Sequence, residues 1–188
     1  MPAPSGLIEA YLEGPVTLRR AVADFSSEQL LARPVPERWS TLEVVCHLVD
    51  SEQAWCHRMK RVIAEPRPLL IGYDQSRFAA ALACHDRDLE QELTLLEGMR
   101  QQMARILRTL PDAAWSFTGV HSERGLITLE DMLRAETEHI PHHVGFIIDK
   151  RKALGLSCAG RRDLPRLAST KGGGENEEGS HSNPGDSR

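Results

Sequence analysis

Aromatic residues make up only 5% of this 188-residue chain. That scarcity weighs against a strand-rich fold, because sheets draw heavily on aromatic and β-branched side chains. No run of 18 consecutive apolar residues occurs, so no segment is expected to span a membrane as a helix. The opening residues, MPAPSGLIEAYLEG, lack a basic stretch leading into an apolar one, and the expectation is a cytoplasmic protein. Neither sign of charge dominates: 23 Lys and Arg against 27 Asp and Glu leave a formal charge of −4. Without a basic patch to neutralise phosphates, nucleic acid is not an expected partner. The four cysteines, Cys46, Cys56, Cys84 and Cys158, show no CxxC spacing, and three fall within helical patterns. They read as reduced thiols in a reducing compartment.

What the chain does have is Leu, Ala, Glu and Arg throughout, a composition suited to helices, with enough length for one hydrophobic core. Beyond Leu156 the sequence turns abruptly to Gly, Ser and charge, which cannot bury enough surface to offset its ordering entropy. The reading is a folded domain over 1–156 and a disordered tail over 157–188.

Four helical patterns precede that tail. In the first, Ile8, Tyr11, Pro15, Leu18, Val22 and Phe25 step by three and four, with Gly14-Pro15 expected to bend the helix. The second opens at Ser40, where Ser40 and Glu43 form a capping box and Trp39 can staple onto Val44. Val44, Leu48, Ser51, Trp55, Met59 and Val62 make its inward stripe, and Glu65-Pro66-Arg67-Pro68 ends it. A third, long helix is predicted from Asp74 as N-cap through Phe78, Leu82, His85, Leu89, Leu93, Leu96, Met103 and Ile106 to Leu110. The fourth begins at Thr128, with Thr128 and Asp131 as a second capping box and Ile127 facing Met132.

Three histidines interrupt the apolar faces. A buried imidazole needs a hydrogen-bond partner or a metal to offset its desolvation. His47 sits between Val44 and Ser51 on the inward stripe, while His139 and His143 are i and i+4, one turn apart on the last helix. That spacing lets two imidazoles reach one ion, and three protein ligands leave coordination positions for water or substrate. Zinc, nickel or iron all suit imidazole. HxxxH alone is a weak signal; the third inward histidine strengthens it. Asp50 and Glu136 are candidates to orient a ligand or accept a proton, whereas Glu43 reads first as a helix cap. Pro141, between the paired histidines, either bends the helix or restarts it; the unbroken apolar phase from Met132 to Phe146 favours a bend. His142 points about 100° away from His143 and reads as an outer-face residue or one that supports a ligand. His57, His85, His121 and His181 read as ordinary surface or packing residues, with His121 placed in a loop that could cover the mouth of the site.

The run ERWSTLEVVCHLVDSE, the stretch GVHSERGLITLEDML and the later HIPHHVGFI together resemble the DinB-like superfamily and, within it, the YfiT-like proteins. The resemblance covers roughly Leu7 to Leu156. It implies an all-α, up-down-down-up four-helix bundle holding one divalent metal on His47, His139 and His143. It also implies an enzyme acting on a small-molecule substrate: an S-transferase that joins a low-molecular-weight thiol such as bacillithiol, mycothiol or glutathione to an electrophile, or a metal-dependent hydrolase using water. A non-catalytic metal-stabilised binding or stress-response module, and a plain dimerising bundle, are the alternatives in other classes. A homodimer fits a helical bundle with leftover apolar faces.

Overall fold

Both predicted capping boxes form. Ser40 Oγ accepts the Glu43 amide at 3.2 Å while the Ser40 amide donates to Glu43 Oε2 at 2.7 Å. Thr128 and Asp131 exchange the equivalent pair at 3.1 and 3.4 Å. These caps start the two helices that carry the histidines. The computed structural model describes residues 5–156, so the disordered-tail reading of 157–188, with Cys158 and His181, lies outside the described residues.

Four long helices form the bundle: α1 (Ser5–Val22), α3 (Thr41–Ala64), α5 (Leu89–Leu107) and α6 (Leu129–Ala153). Short helices α2 (Ser27–Leu31) and α4 (Gln75–Ala81) and two 3-10 turns lie in the connections. Among the described residues no helix is long and apolar enough to cross a membrane.

The core clusters fix the directions. At one end Ile8 of α1 and Leu133 of α6 pack with Met59 and Val62 of α3 and Met103 and Leu107 of α5. At the other end Val22 and Ile147 meet Val44, Leu48 and Leu93. The beginnings of α1 and α6 therefore share one end with the finishes of α3 and α5, which is the up-down-down-up order.

Parallel α3 and α5 need a connection that travels the length of the bundle, about 36 Å for a 24-residue helix. This is why the single third helix expected from Asp74 to Leu110 does not form. The chain returns along α3 through α4 and the 3-10 turn Cys84–Asp86, and only then starts α5, capped by Asp88, which accepts the Gln91 amide at 2.9 Å. Phe78 and Leu82, expected to face inward, are exposed, and so is His85.

A small sheet was also not expected. β1 (Leu69–Leu70) runs parallel to β2 (Thr118–His121), which pairs antiparallel with β3 (Gly125–Thr128) immediately before α6. His121 is therefore on a strand rather than in a loop, buried and stacked on Trp55 at a centroid distance of 5.8 Å.

At the centre lies a buried guanidinium. Arg100 of α5 donates from Nε to Glu52 of α3 at 2.7 Å, from Nη1 to the Tyr11 carbonyl of α1 at 2.7 Å, and from Nη2 to the Glu136 carbonyl of α6 at 2.8 Å. The Tyr11 carbonyl is available because the residue four positions on is Pro15, which has no amide hydrogen to donate. Gly14 supplies the space: a Cβ there would lie 2.3 Å from Arg100 Nη1. Neither proline breaks its helix; α1 and α6 are continuous through Pro15 and Pro141. Glu52 also accepts from the Tyr11 hydroxyl and from the Cys56 thiol at 3.3 Å.

Breaking this pair should be severe. Arg100→Met is expected to lower unfolding free energy by about 3–5 kcal/mol, because it strands a buried carboxylate, and adding Glu52→Leu should recover part of the loss; urea denaturation of the four proteins measures both. Burial pushes the Cys56 thiol up to about 12, and burial together with the charge of Glu52 pushes the Tyr11 hydroxyl well above its usual range. The folded state keeps protons that the unfolded chain releases above roughly pH 9, so the unfolded state binds fewer protons there. Stability should be level below that pH and fall as pH rises beyond it, with a gentler fall in Cys56→Ala; urea midpoints between about pH 7.5 and 10.5 test this.

Candidate metal centre

Three inward positions on two neighbouring helices bring His47, His139 and His143 together. Nε2 of His139 lies 3.3 Å from Nε2 of His47 and 3.0 Å from Nε2 of His143, and one ring nitrogen from each lies within 4.8 Å of the others. The i, i+4 pairing of His139 with His143 survives Pro141 because α6 does not restart there. His47 and His143 are buried, and the His139 side chain is 20% exposed, so the cluster opens to solvent on the His139 side.

Burial, aided by the neighbouring His139, pushes His47 down to about 3; burial and the surrounding His139, His47, His142 and Lys150 push His143 far below the usual imidazole range. Neutral imidazole is the form that ligates a cation. Two nitrogens each about 2.1 Å from one ion and separated by 90–110° sit roughly 3.0–3.4 Å apart, and the two separations at His139 fall in that interval. Hydrogen bonding serves the cluster less well. Each Nε2 has either one N–H or one lone pair, so His139 can make only one good bond to its two neighbours. The donor set therefore fits a divalent ion.

The surroundings hold these rings in place. Trp39 packs against His47 at 5.2 Å between centroids, and Phe146 lies 5.7 Å from His143. Glu136 is buried, with Oε2 lacking a hydrogen-bond partner among the described residues and lying 3.8 Å from Nδ1 of His139. That is an ion-pair distance rather than a hydrogen bond, and it sets the carboxylate beside the ring.

Asp50 is placed differently. Both its oxygens are engaged by Arg87 at 3.0 Å, and Arg87 also reaches Glu92 at 2.5 Å, tying the returning connection to α3 and α5. Glu43 is a helix cap, as its position suggested, and also takes Arg33 and His85. Burial would raise its pKa, but the hydrogen bonds from Arg33 and Ser40 outweigh that and leave it below the usual carboxylate range. His142 is exposed, edge-on to Phe146.

Sequence reasoning missed Arg100 and Glu52, although both occupy inward steps of their helices, between Leu96 and Met103 and between Leu48 and Trp55. It also missed Arg58 and Tyr73. Arg58 lies over the Trp55 and Tyr73 rings at 5.0 and 5.8 Å.

With this geometry in place, comparison with known proteins defines the class. The family model of the DinB superfamily matches residues 10–147, and the chain belongs to that superfamily. Among curated proteins it is similar to "Putative metal-dependent hydrolase YfiT" of Bacillus subtilis (strain 168), 28% identical over 151 residues that cover 80% of this chain and 85% of that protein. It is likewise similar to a protein of Oceanobacillus iheyensis whose name also reads "Putative metal-dependent hydrolase", 29% identical over 73% of this chain and 81% of that one. The solved structure of Bacillus subtilis YfiT, described as "a probable metal-dependent hydrolase with an unusual four-helix bundle topology", superposes with a TM-score of 0.77 at 27% identity, covering 81% of this chain and 88% of that one.

Proposed function

We propose that His47, His139 and His143 hold one divalent metal through Nε2, and that the protein is a metal-dependent enzyme acting on a small molecule. The observation that carries this reading is the convergence of three imidazole nitrogens around His139 at 3.0 and 3.3 Å. When bound, such an ion supplies Lewis acidity, lowering the pKa of a thiol or a water that reaches its open positions. The chain's own residues do the rest. Burial keeps His47 and His143 neutral, Glu136 stands beside the His139 ring, and Trp39 and Phe146 wall off bulk water on the His47 and His143 side.

The nucleophile we favour is the thiol of a low-molecular-weight thiol, transferred to an electrophilic carbon. Among the described residues the nearby carboxylates are committed to arginines or a helix cap or stand beside a ligand ring. Asp50 is held by Arg87, Glu43 by Arg33 and Ser40, and Glu136 faces a ligand ring. A thiol, with a pKa near 8.5, is ionised by a nearby cation without a carboxylate base, whereas water starts far higher. The second reading, hydrolysis, is supported by the names of the relatives.

Purified protein should carry close to one transition metal per chain by elemental analysis, and His47→Ala and His143→Ala should lose it. A chelator should lower Tm in the parent and leave both variants unmoved, since a ligand bound only to the native state at a hundredfold excess over its Kd stabilises by about 2.7 kcal/mol. For the chemistry, conjugation of glutathione, bacillithiol or mycothiol to 1-chloro-2,4-dinitrobenzene that depends on added metal supports transfer. Metal-dependent cleavage of p-nitrophenyl acetate without any thiol conjugation would replace it with the hydrolytic reading.

A further inference from the structure

Arg58 differs from the other buried arginines. Arg100 is matched by Glu52, and Arg151 caps the Ala21 and Ala23 carbonyls at the end of α1. Arg58 is 6% exposed, yet among the described residues no carboxylate lies within ion-pair distance of it. Among the described residues its one hydrogen bond is from Nη2 to the Ile71 carbonyl at 2.5 Å, and it lies over the Trp55 and Tyr73 ring faces. A guanidinium has five N–H donors in a planar fork, so this one is held by one edge and keeps donors to offer.

Those donors border a cavity of about 310 Å³ between α3, the strand that follows it, and α4. Ala54, Leu70, Ile71, Tyr73 and Phe78 line it together with Arg58, His57 and Arg61, the last already engaged by Glu65 and the Leu69 carbonyl, and among the described residues no acidic residue does. Apart from these cationic and imidazole groups its walls are apolar and aromatic, with Tyr73 and Phe78 packed at 4.5 Å. The exposure of Phe78, unexplained by packing of the bundle, is accounted for if it forms one side of a ligand site. The Tyr73 segment is tied to the β2–β3 turn by the Gly72 amide, which donates to Ser122 Oγ at 2.8 Å.

Arg58 also shares a helix face with the first of the histidines. Positions 47, 51, 55 and 58 step by four, four and three along one face of α3, so Arg58 stands about 16 Å along the helix from His47. Ser51 and Glu136 lie between, both near enough to Tyr73 to influence its hydroxyl.

We propose that Arg58 is the anchor for an anionic group, a carboxylate, of the small-molecule substrate, whose apolar or aliphatic part lies against Tyr73 and Phe78 while its reactive end extends toward the three histidines. The carboxylate takes two donors of the Arg58 fork; the aromatic walls exclude water from the pair. That the anion belongs to the substrate of the metal site rests on the reading under Proposed function. The anion site itself stands on Arg58 and the cavity.

The test uses 1-naphthylacetate and its uncharged analogue 1-naphthylacetamide as probes, with binding followed by fluorescence on full-length protein. The parent should bind the acid roughly tenfold or more tightly than the amide, the range for a charge-assisted hydrogen bond. Arg58→Met should bind both alike, and Arg58→Lys should keep part of the preference. The circular dichroism of both variants should match the parent, because no carboxylate is left unpaired by the change. The same preference persisting in His47→Ala supports the anion site whatever metal the parent carries. In cobalt-loaded parent, selective broadening of the naphthyl proton resonances supports the placement of the probe near the histidines. Equal binding of acid and amide by the parent, or an undiminished preference in Arg58→Met, overturns the proposal; an acid preference with no broadening overturns its link to the metal site.

Discussion

A single buried guanidinium ties the bundle together. Arg100 touches all four long helices: its own, the Glu52 carboxylate of α3, the Tyr11 carbonyl of α1 and the Glu136 carbonyl of α6. Removing such a charge from water is costly, and the cost is offset only where geometry and partners are nearly complete. Here the partners are supplied by covalent structure as much as by packing. Pro15 leaves a carbonyl without its helical donor, and Gly14 leaves space for the group that takes it. The pair of residues that looked like a helix breaker is a socket. Because the network demands that α3 and α6 meet α5 at one register, it also sets where the histidines of α3 and α6 stand relative to each other. The carbonyl that Arg100 holds belongs to Glu136, one turn before His139.

The second determinant is topological. With α3 and α5 parallel, the chain must return the length of the bundle between them, and that return delivers the residues surrounding the site. Arg87 arrives beside Asp50, His85 beside Glu43, Tyr73 and Phe78 beside Arg58. In a bundle with tight turns α3 would be bare on this side. The extra segment turns a helix face into a groove, and the small sheet closes its far end with His121 stacked on Trp55.

Much of this was legible in residues whose meaning is local. Ser40 with Glu43 and Thr128 with Asp131 declare helix starts because a capping box is satisfied within four residues. His47 and the His139/His143 pair stand out because an imidazole on an apolar stripe violates the pattern that surrounds it. The third helix was misread for the opposite reason: Phe78 and Leu82 keep a helical phase with Leu89 and Leu93, yet face solvent and the cavity, and nothing local distinguishes the two uses of an apolar residue. Asp88, an N-cap in mid-pattern, was the available signal. Arg100 and Glu52 were passed over because a charge on an inward stripe has meaning only once its partner is known, and the partner lies 48 residues away.

The histidine cluster has to be weighed against packing alone. A bundle with no ligand would be more stable with apolar residues at 47, 139 and 143, since each imbalanced buried polar group costs about 1–3 kcal/mol. Hydrogen bonding among three neutral rings cannot remove that penalty, because His139 Nε2 has one proton or one lone pair to give and two neighbours to satisfy. The helices that present these rings are fixed independently, by capping boxes at their starts and by Arg100 between them, so the cluster does not relax by letting a helix slide. A rigid frame holding three nitrogens at 3.0 and 3.3 Å that cannot all be satisfied by one another is poised to gain from a cation what it lacks in hydrogen bonds. At His47 and His143 the burial that disfavours the protonated ring is, for the same reason, what keeps it in the form that binds metal.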